Sequence, residues 1–308
     1  MLVFRASARV TGGMRLRDVA LPAAVVAAIF AVHPVQTQAV TYIVQRLELQ
    51  AAFFIFAAIL TAAYGTNART YSGRTIWFGL TAAALALGAV SKEIIIAAPV
   101  IIVAQIVLLR AQTWRGRMLA LGAGAVTGMV CLVGMLMLAG ALRFTPKPYF
   151  SLAPFAVLWR ETPPAVHYAT QARALLLYVR LCLIPWQQRV EYDFSASAGF
   201  ADPAVIGAVA LQIAIMCVGV LAWRRKPAML FGMIWFYAVM APSVLMPNAV
   251  FEHRVYAALP GVWMAIVVPI YQEVLLQPAS RRRALLAIVS AAFALLIISF
   301  LTLTIARN

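Results

Sequence analysis

The sequence is poor in charge, cysteine and histidine. Only 11% of its 308 residues are charged, with 9 Asp plus Glu against 25 Lys plus Arg, and it holds 3 Cys and 3 His. The cysteines lie in apolar stretches without a C-x-x-C or Cys/His spacing, which excludes a disulfide scaffold and the usual zinc sites. A chain that is 64% hydrophobic is also not a disordered one.

Apolar residues make up most of the chain. The hydrophobic fraction is 64% and the mean hydropathy is +0.92. A soluble fold of this length cannot hide so much apolar surface, so the composition predicts an integral membrane protein. In such a chain, a net charge of +16 orients helices and contacts anionic lipid rather than nucleic acid.

Apolar runs of membrane-spanning length predict an all-α fold. A spanning helix needs about 20 mostly apolar residues. By that measure there are nine transmembrane helices, near residues 19–33, 48–64, 75–90, 94–110, 118–142, 204–223, 228–246, 257–275 and 284–305. Residues 1–308 are predicted to form a single membrane domain.

Basic residues collect at every second connection between these runs, which predicts their orientation. Such clusters lie on the cytoplasmic side, so we expect the N-terminus in the cytoplasm and the C-terminus outside. The alternation requires residues 143–203 to form a long outer loop. Within it, the apolar run 172–186 is short and carries Arg173 and Arg180, which favours an interfacial helix.

Four polar clusters interrupt the apolar chain, all at junctions predicted to be outside. Polar groups near the hydrocarbon are functional candidates, although each cluster also has a simple explanation as a helix cap, a snorkelling side chain or a solvated loop. The segment after Pro34 predicts one helix running to Tyr64, and Glu252 is expected to hold Arg254 in place. The candidates are His33, Gln36, Thr37, Gln38 and Arg46; Lys92 and Glu93; Glu191 and Asp193; and Glu252, His253, Arg254 and Tyr256.

The segments HPVQTQAVTYIVQRLELQAAFF, SKE, YVRLCLIPWQQRVEYDF and FEHRVYAALPG, in this order, resemble the bacterial relatives of the transmembrane-and-TPR O-mannosyltransferases. These belong to the GT-C superfamily of polyprenyl-phosphate-sugar glycosyltransferases. The resemblance runs from about residue 20 to residue 275. Family members usually begin with two further helices and an acidic outer loop carrying the catalytic base, and continue into TPR repeats. Neither pattern occurs in this sequence, so no TPR domain is expected.

The resemblance implies a membrane glycosyltransferase core with a GT-C-like fold in a bacterial inner membrane, its C-terminus periplasmic. It would transfer a sugar from a polyprenyl-phosphate donor to a hydroxyl, such as that of a protein Ser or Thr. The donor phosphate is assigned to Lys92, His253, Arg254 and Arg46, and the site lining to His33, Gln36, Thr37, Gln38 and Tyr256.

The family's base has no counterpart here, which leaves two alternatives open. Either the chain needs an upstream polypeptide to become active, or it is a noncatalytic lipid-phosphate-binding or assembly subunit. No cofactor is expected, and a divalent metal stays open. If the base lies within the chain, the candidates are Glu93, Glu191, Asp193 and Glu252.

Overall fold

The computed structural model describes residues 16–109, 118, 163–245 and 250–308, which are mostly helical. Ten α-helices are numbered here in chain order among the described residues. They are α1 (Leu16–Val32), α2 (Gln36–Thr41), α3 (Arg46–Asn67), α4 (Tyr71–Ala89), α5 (Ala97–Leu109), α6 (Pro164–Leu183), α7 (Pro203–Ala222), α8 (Pro227–Leu245), α9 (Leu259–Leu275) and α10 (Ala279–Arg307). Short 3-10 helices cover Ile43–Gln45, Glu93–Ile96 and Glu252–Val255.

The chain is a helical membrane protein, but the prediction of nine spans is wrong. By length and composition, four described helices can cross a membrane: Ile43–Asn67, Pro203–Ala222, Pro227–Leu245 and Ala279–Arg307. Three other predicted spans are shorter apolar helices, Ala20–Val32, Glu93–Leu109 and Leu259–Leu275. The apolar part of α4 starts only after Arg74, and the apolar stretch that remains is too short to span a membrane. The predicted span 118–142 lies outside the described residues except for Met118.

Two predicted helices have different bounds in the structure. The interfacial helix expected over 172–186 is α6, which begins at Pro164, ends at Leu183 and buries Ala174, Tyr178 and Leu181 completely. One face of α6 therefore packs against the bundle. The long helix expected after Pro34 is broken at Tyr42, whose backbone is extended (φ −83°, ψ 121°).

One hydrophobic core joins most of the described helices. It contains buried side chains of α1, α3, α4, α5, α6, α8, α9 and α10. Helices α8 and α9 approach most closely where Gly232 faces Gly261. A Cβ added to Gly232 would lie 2.3 Å from the carbonyl oxygen of Gly261, and one added to Gly261 would lie 2.6 Å from that of Gly232. Both positions therefore need glycine, because the two backbones are in contact.

The polar connections gather at two ends of the bundle. At one end, Glu191–Tyr192 and Val250–Phe251 form two short antiparallel strands, β1 and β2. At the other end, Lys226, in the connection that follows α7, forms an exposed ion pair of 2.9 Å with Glu273 in the last turn of α9. This grouping agrees with the loop alternation predicted from charge. Which end faces the cytoplasm stays a prediction.

Candidate functional site

Three of the predicted clusters meet at the end of the bundle that holds β1 and β2. The backbone N–H of His253 donates to Oε1 of Gln38 at 2.9 Å, which joins the segment after α8 to α2. Lys92, in the turn between α4 and α5, forms an ion pair with Glu48 in the first turn of α3. The structure therefore brings together Gln38, Lys92 and His253, which are far apart in the sequence.

Glu48 is a member of this site that sequence reasoning missed. Its side chain is 1% exposed, and its neighbours along the helix, Ala51, Ala52 and Ile55, are fully buried. The spacing of 48, 52, 55 and 59 is that of one helix face. That periodicity would have placed a carboxylate on the buried face of α3 and shown that it needs a cationic partner.

Arg254 and His253 lie beside the ion pair of Lys92 and Glu48, and these two residues differ in charge. Arg254 is 8% exposed, and its guanidinium stands over the Phe251 ring at 5.6 Å and close to the Tyr178 hydroxyl. Burial, with the nearby charges of Lys92 and Arg254, lowers the pKa of His253 to about 3. His253 is therefore neutral at pH 7 and serves as a hydrogen-bonding group, not as the cation expected from the sequence.

Several buried polar atoms of these segments have no hydrogen-bond partner. Buried polar groups are nearly always paired, because an unpaired one costs about 1–3 kcal/mol. Such a concentration marks a place where a polar ligand or water can bind. The unpaired atoms are Nε2 and Oε1 of Gln36, Oγ1 of Thr37, Oε1 of Glu48 and Nδ1 of His253.

His33, predicted to line the site, instead stabilises the fold. Its fully buried ring accepts a hydrogen bond at Nδ1 from the Val35 N–H (3.2 Å) and donates from Nε2 to the Cys182 carbonyl (3.0 Å). Trp263 donates to the same carbonyl at 3.1 Å. Carbonyls in the last turn of a helix lack partners within that helix, so His33 and Trp263 together cap the end of α6.

The burial of His33 gives the protein a stability that depends on pH. Burial lowers the pKa of His33 to about 4, below its ordinary 6.5. The charges beside it are Arg307, which binds the Pro34 carbonyl, and Glu252, the partner of Arg307. Between pH 6.5 and 4, His33 is protonated in the unfolded chain but stays neutral in the folded chain. We expect the free energy of unfolding to fall between pH 6.5 and 4, by at most about 1.4 kcal/mol per pH unit from this residue.

The measurement is thermal unfolding in detergent across that pH range for the wild type and His33→Gln, which keeps a donor near Cys182 but does not titrate. His253 should add a loss in the same direction in both proteins. The difference between the two curves isolates His33, and parallel curves would contradict this prediction.

Glu252 does not hold Arg254, contrary to expectation. Its carboxylate, 0% exposed, accepts two hydrogen bonds of 2.6 Å from Arg307 at the end of α10. Arg307 also donates to the Pro34 carbonyl at 2.9 Å, and Thr304 donates to the Val32 carbonyl at 2.6 Å. The end of α10 thus fastens the segment after α1 to the segment after α8. Burial raises the pKa of Glu252, and Arg307 opposes that shift.

The remaining candidates lie at the edge of this arrangement or away from it. Arg46 is exposed at the first turn of α3, on a different face from Glu48. Glu191 and Asp193 are exposed, and Glu93 is partly exposed beside Lys92. Tyr256 is half-buried, with its ring against Phe30 at 5.2 Å. Among the four predicted base candidates, only Glu252 is buried, and both of its oxygens are occupied.

The described residues contain no group of three or more His, Cys, Asp or Glu side chains that could hold a metal ion. Comparison with protein-family models found no match. Neither curated proteins nor solved structures gave a match. The resemblance noted in the sequence therefore rests on its four motifs alone.

Proposed function

We propose that this chain is the membrane core of a GT-C-type glycosyltransferase that binds a polyprenyl-phosphate-linked sugar, on the outer face of a bacterial inner membrane. The observation that carries the proposal is the meeting of Lys92, His253 and Arg254 around buried polar atoms without partners. These residues come from two of the motifs on which the resemblance rests, and Glu48 comes from a third.

The charges suit a lipid phosphate. Transfer from such a donor breaks the bond between the anomeric carbon and the phosphate oxygen, and it leaves negative charge on the phosphate. Lys92 supplies a point charge, and Arg254 a planar fork that matches phosphate oxygens. The neutral imidazole of His253, with Nδ1 unpaired, adds a hydrogen-bonding group without further charge. These groups would stabilise the leaving phosphate in a water-poor setting.

The acceptor hydroxyl needs a base, and none of the four predicted carboxylates is free and buried within the described part of the chain. Glu252 is held by Arg307, and the other three are exposed or partly exposed. This observation favours a core that depends on another polypeptide for its base, or the second candidate function, a noncatalytic lipid-phosphate-binding subunit. For the transferase core, the acceptor is proposed to be a hydroxyl of another molecule, such as a protein Ser or Thr.

The test is to measure binding and transfer separately. The purified chain in nanodiscs should bind undecaprenyl phosphate, and native mass spectrometry measures this binding. Given an undecaprenyl-phosphoryl-hexose and a Ser/Thr-rich peptide, it should turn over slowly or not at all, because loss of a general base typically costs a factor of about 10²–10⁴.

Adding a polypeptide with two helices and an acidic outer loop should restore turnover for the enzyme core but not for a binding subunit. A folded chain that binds neither undecaprenyl phosphate nor a singly charged undecaprenyl phosphodiester would overturn both functions. Efficient transfer by the chain alone would show that the base lies within it, and Ala substitutions at Glu93, Glu191, Asp193 and Glu252 would then identify it.

A further inference from the structure

Glu48 places a negative charge among the cations of the proposed phosphate site. It is almost completely buried; one carboxylate oxygen is paired with Lys92 and the other, Oε1, has no partner. Lys92, Glu93 and Arg254 are the charged groups that act on it. An acid at this position weakens the attraction of the site for any phosphate, so its presence needs a reason.

The formal charge of the site is small once Glu48 is included. Lys92 and Arg254 contribute two positive charges and Glu48 one negative charge, while His253 is neutral because burial holds its pKa near 3. The sum is one positive charge. Glu93 is partly exposed, so water screens its charge more strongly than that of Glu48.

Lipid phosphates differ in charge before and after sugar transfer. A sugar-linked polyprenyl phosphate is a phosphodiester with one negative charge. The polyprenyl phosphate left behind is a phosphomonoester, which carries about −1.5 to −2 at pH 7. The cost of removing an ion from water rises with the square of its charge, whereas its attraction to a fixed cation rises only linearly. A site with one positive charge therefore compensates the diester better than the monoester.

We propose that Glu48 sets the charge selectivity of this site, so that a singly charged lipid phosphodiester binds in preference to the more highly charged phosphomonoester. This inference rests on the proposed function. In a transferase it would speed the release of the lipid product, because the new charge on the phosphate is left uncompensated. In a binding subunit it would select sugar-loaded carriers over empty ones.

The test compares two probes that differ only in charge, undecaprenyl phosphate and its methyl ester, in zwitterionic nanodiscs at pH 8. For Glu48→Gln, the ratio of the two affinities should move toward the monoester by about tenfold, since one more unit of positive charge faces the ligand. Glu93→Gln removes the same charge from a more solvated position, and it should change the ratio by less than about twofold. An unchanged ratio in Glu48→Gln, or an equal shift in Glu93→Gln, overturns the inference.

A second variant covers the case in which Glu48→Gln alone does not fold. Glu48→Gln combined with Lys92→Met removes the buried pair as a whole, leaves no unpaired buried carboxylate and returns the site to the wild-type sum of one positive charge. Its ratio of affinities should stay within about twofold of the wild-type ratio, and a shift of about tenfold toward the monoester in this protein overturns the inference. If neither probe binds to the folded wild type or to any variant, the proposed function fails instead.

Discussion

Replacing Arg307 by methionine lowers the free energy of unfolding by about 3 kcal/mol or more, because it leaves the completely buried Glu252 carboxylate without a partner. The loss should be larger at pH 8 than at pH 5, since protonation of Glu252 removes the unpaired charge. The two segments that Arg307 joins, after α1 and after α8, should loosen together. Thermal unfolding in detergent measures the stability, and hydrogen exchange at residues 33–41 and 250–258 measures the loosening.

Two controls separate the buried pair from ordinary surface charge. Arg307→Met combined with Glu252→Gln removes both charges and should recover much of the lost stability. Lys226→Met breaks the exposed pair with Glu273 at the other end of the bundle and should cost less than about 1 kcal/mol. If Arg307→Met is as mild as Lys226→Met, α10 does not fasten these segments.

Replacing Arg254 by lysine should weaken the binding of undecaprenyl phosphate by about 10- to 100-fold, with little change in unfolding temperature. A lysine keeps the charge but loses the fork that can hold two phosphate oxygens at once. It also loses the stacking of the guanidinium on Phe251 at 5.6 Å, which orients the side chain. Binding in nanodiscs measures the effect, and the unfolding temperature reports on the fold.

The matched control is Arg46→Ala, which removes an arginine from an exposed position near the site. It should leave lipid affinity nearly unchanged, although Arg46 was predicted from sequence to be a phosphate ligand. A folded Arg254→Ala protein that binds the lipid as tightly as the wild type would remove Arg254 from the site.

The sequence was sufficient to predict that several of the polar segments share one end of the bundle. Positive charge at alternate connections divided the loops into two groups, and one end of the bundle contains the His33, Lys92 and Glu252–Arg254 segments. This worked because the cost of charge in lipid restricts which loops can share an end. Helix lengths were harder to predict, because Tyr42 and the 3-10 turn after Lys92 interrupt apolar runs that look continuous.

The partners of individual charges could not be predicted. Glu252 was expected to pair with its neighbour Arg254, but it pairs with Arg307, 55 residues away. Such a pairing depends on how far α10 extends past α9, which no local pattern encodes. Glu48 was overlooked for a different reason, because it was taken to mark the start of a spanning helix. The residue spacing that places Glu48 on the buried face of α3 can be recognised in the sequence.

The contact of Gly232 with Gly261 limits the ways in which the proposed lipid could reach the polar end of the bundle. Helices whose backbones touch cannot part for a polyprenyl tail without losing close packing along their whole interface. Helix α10 is different, since among its side chains only Phe293 and Phe300 are buried. Among the four described helices that are long and apolar enough to cross a membrane, α10 has the smallest buried share, so it could shift away from the bundle at the smallest packing cost. Its end is held by the hydrogen bonds from Arg307 to Glu252 and Pro34 and from Thr304 to Val32, so these contacts would resist such a shift, and with it any entry of the proposed lipid along α10.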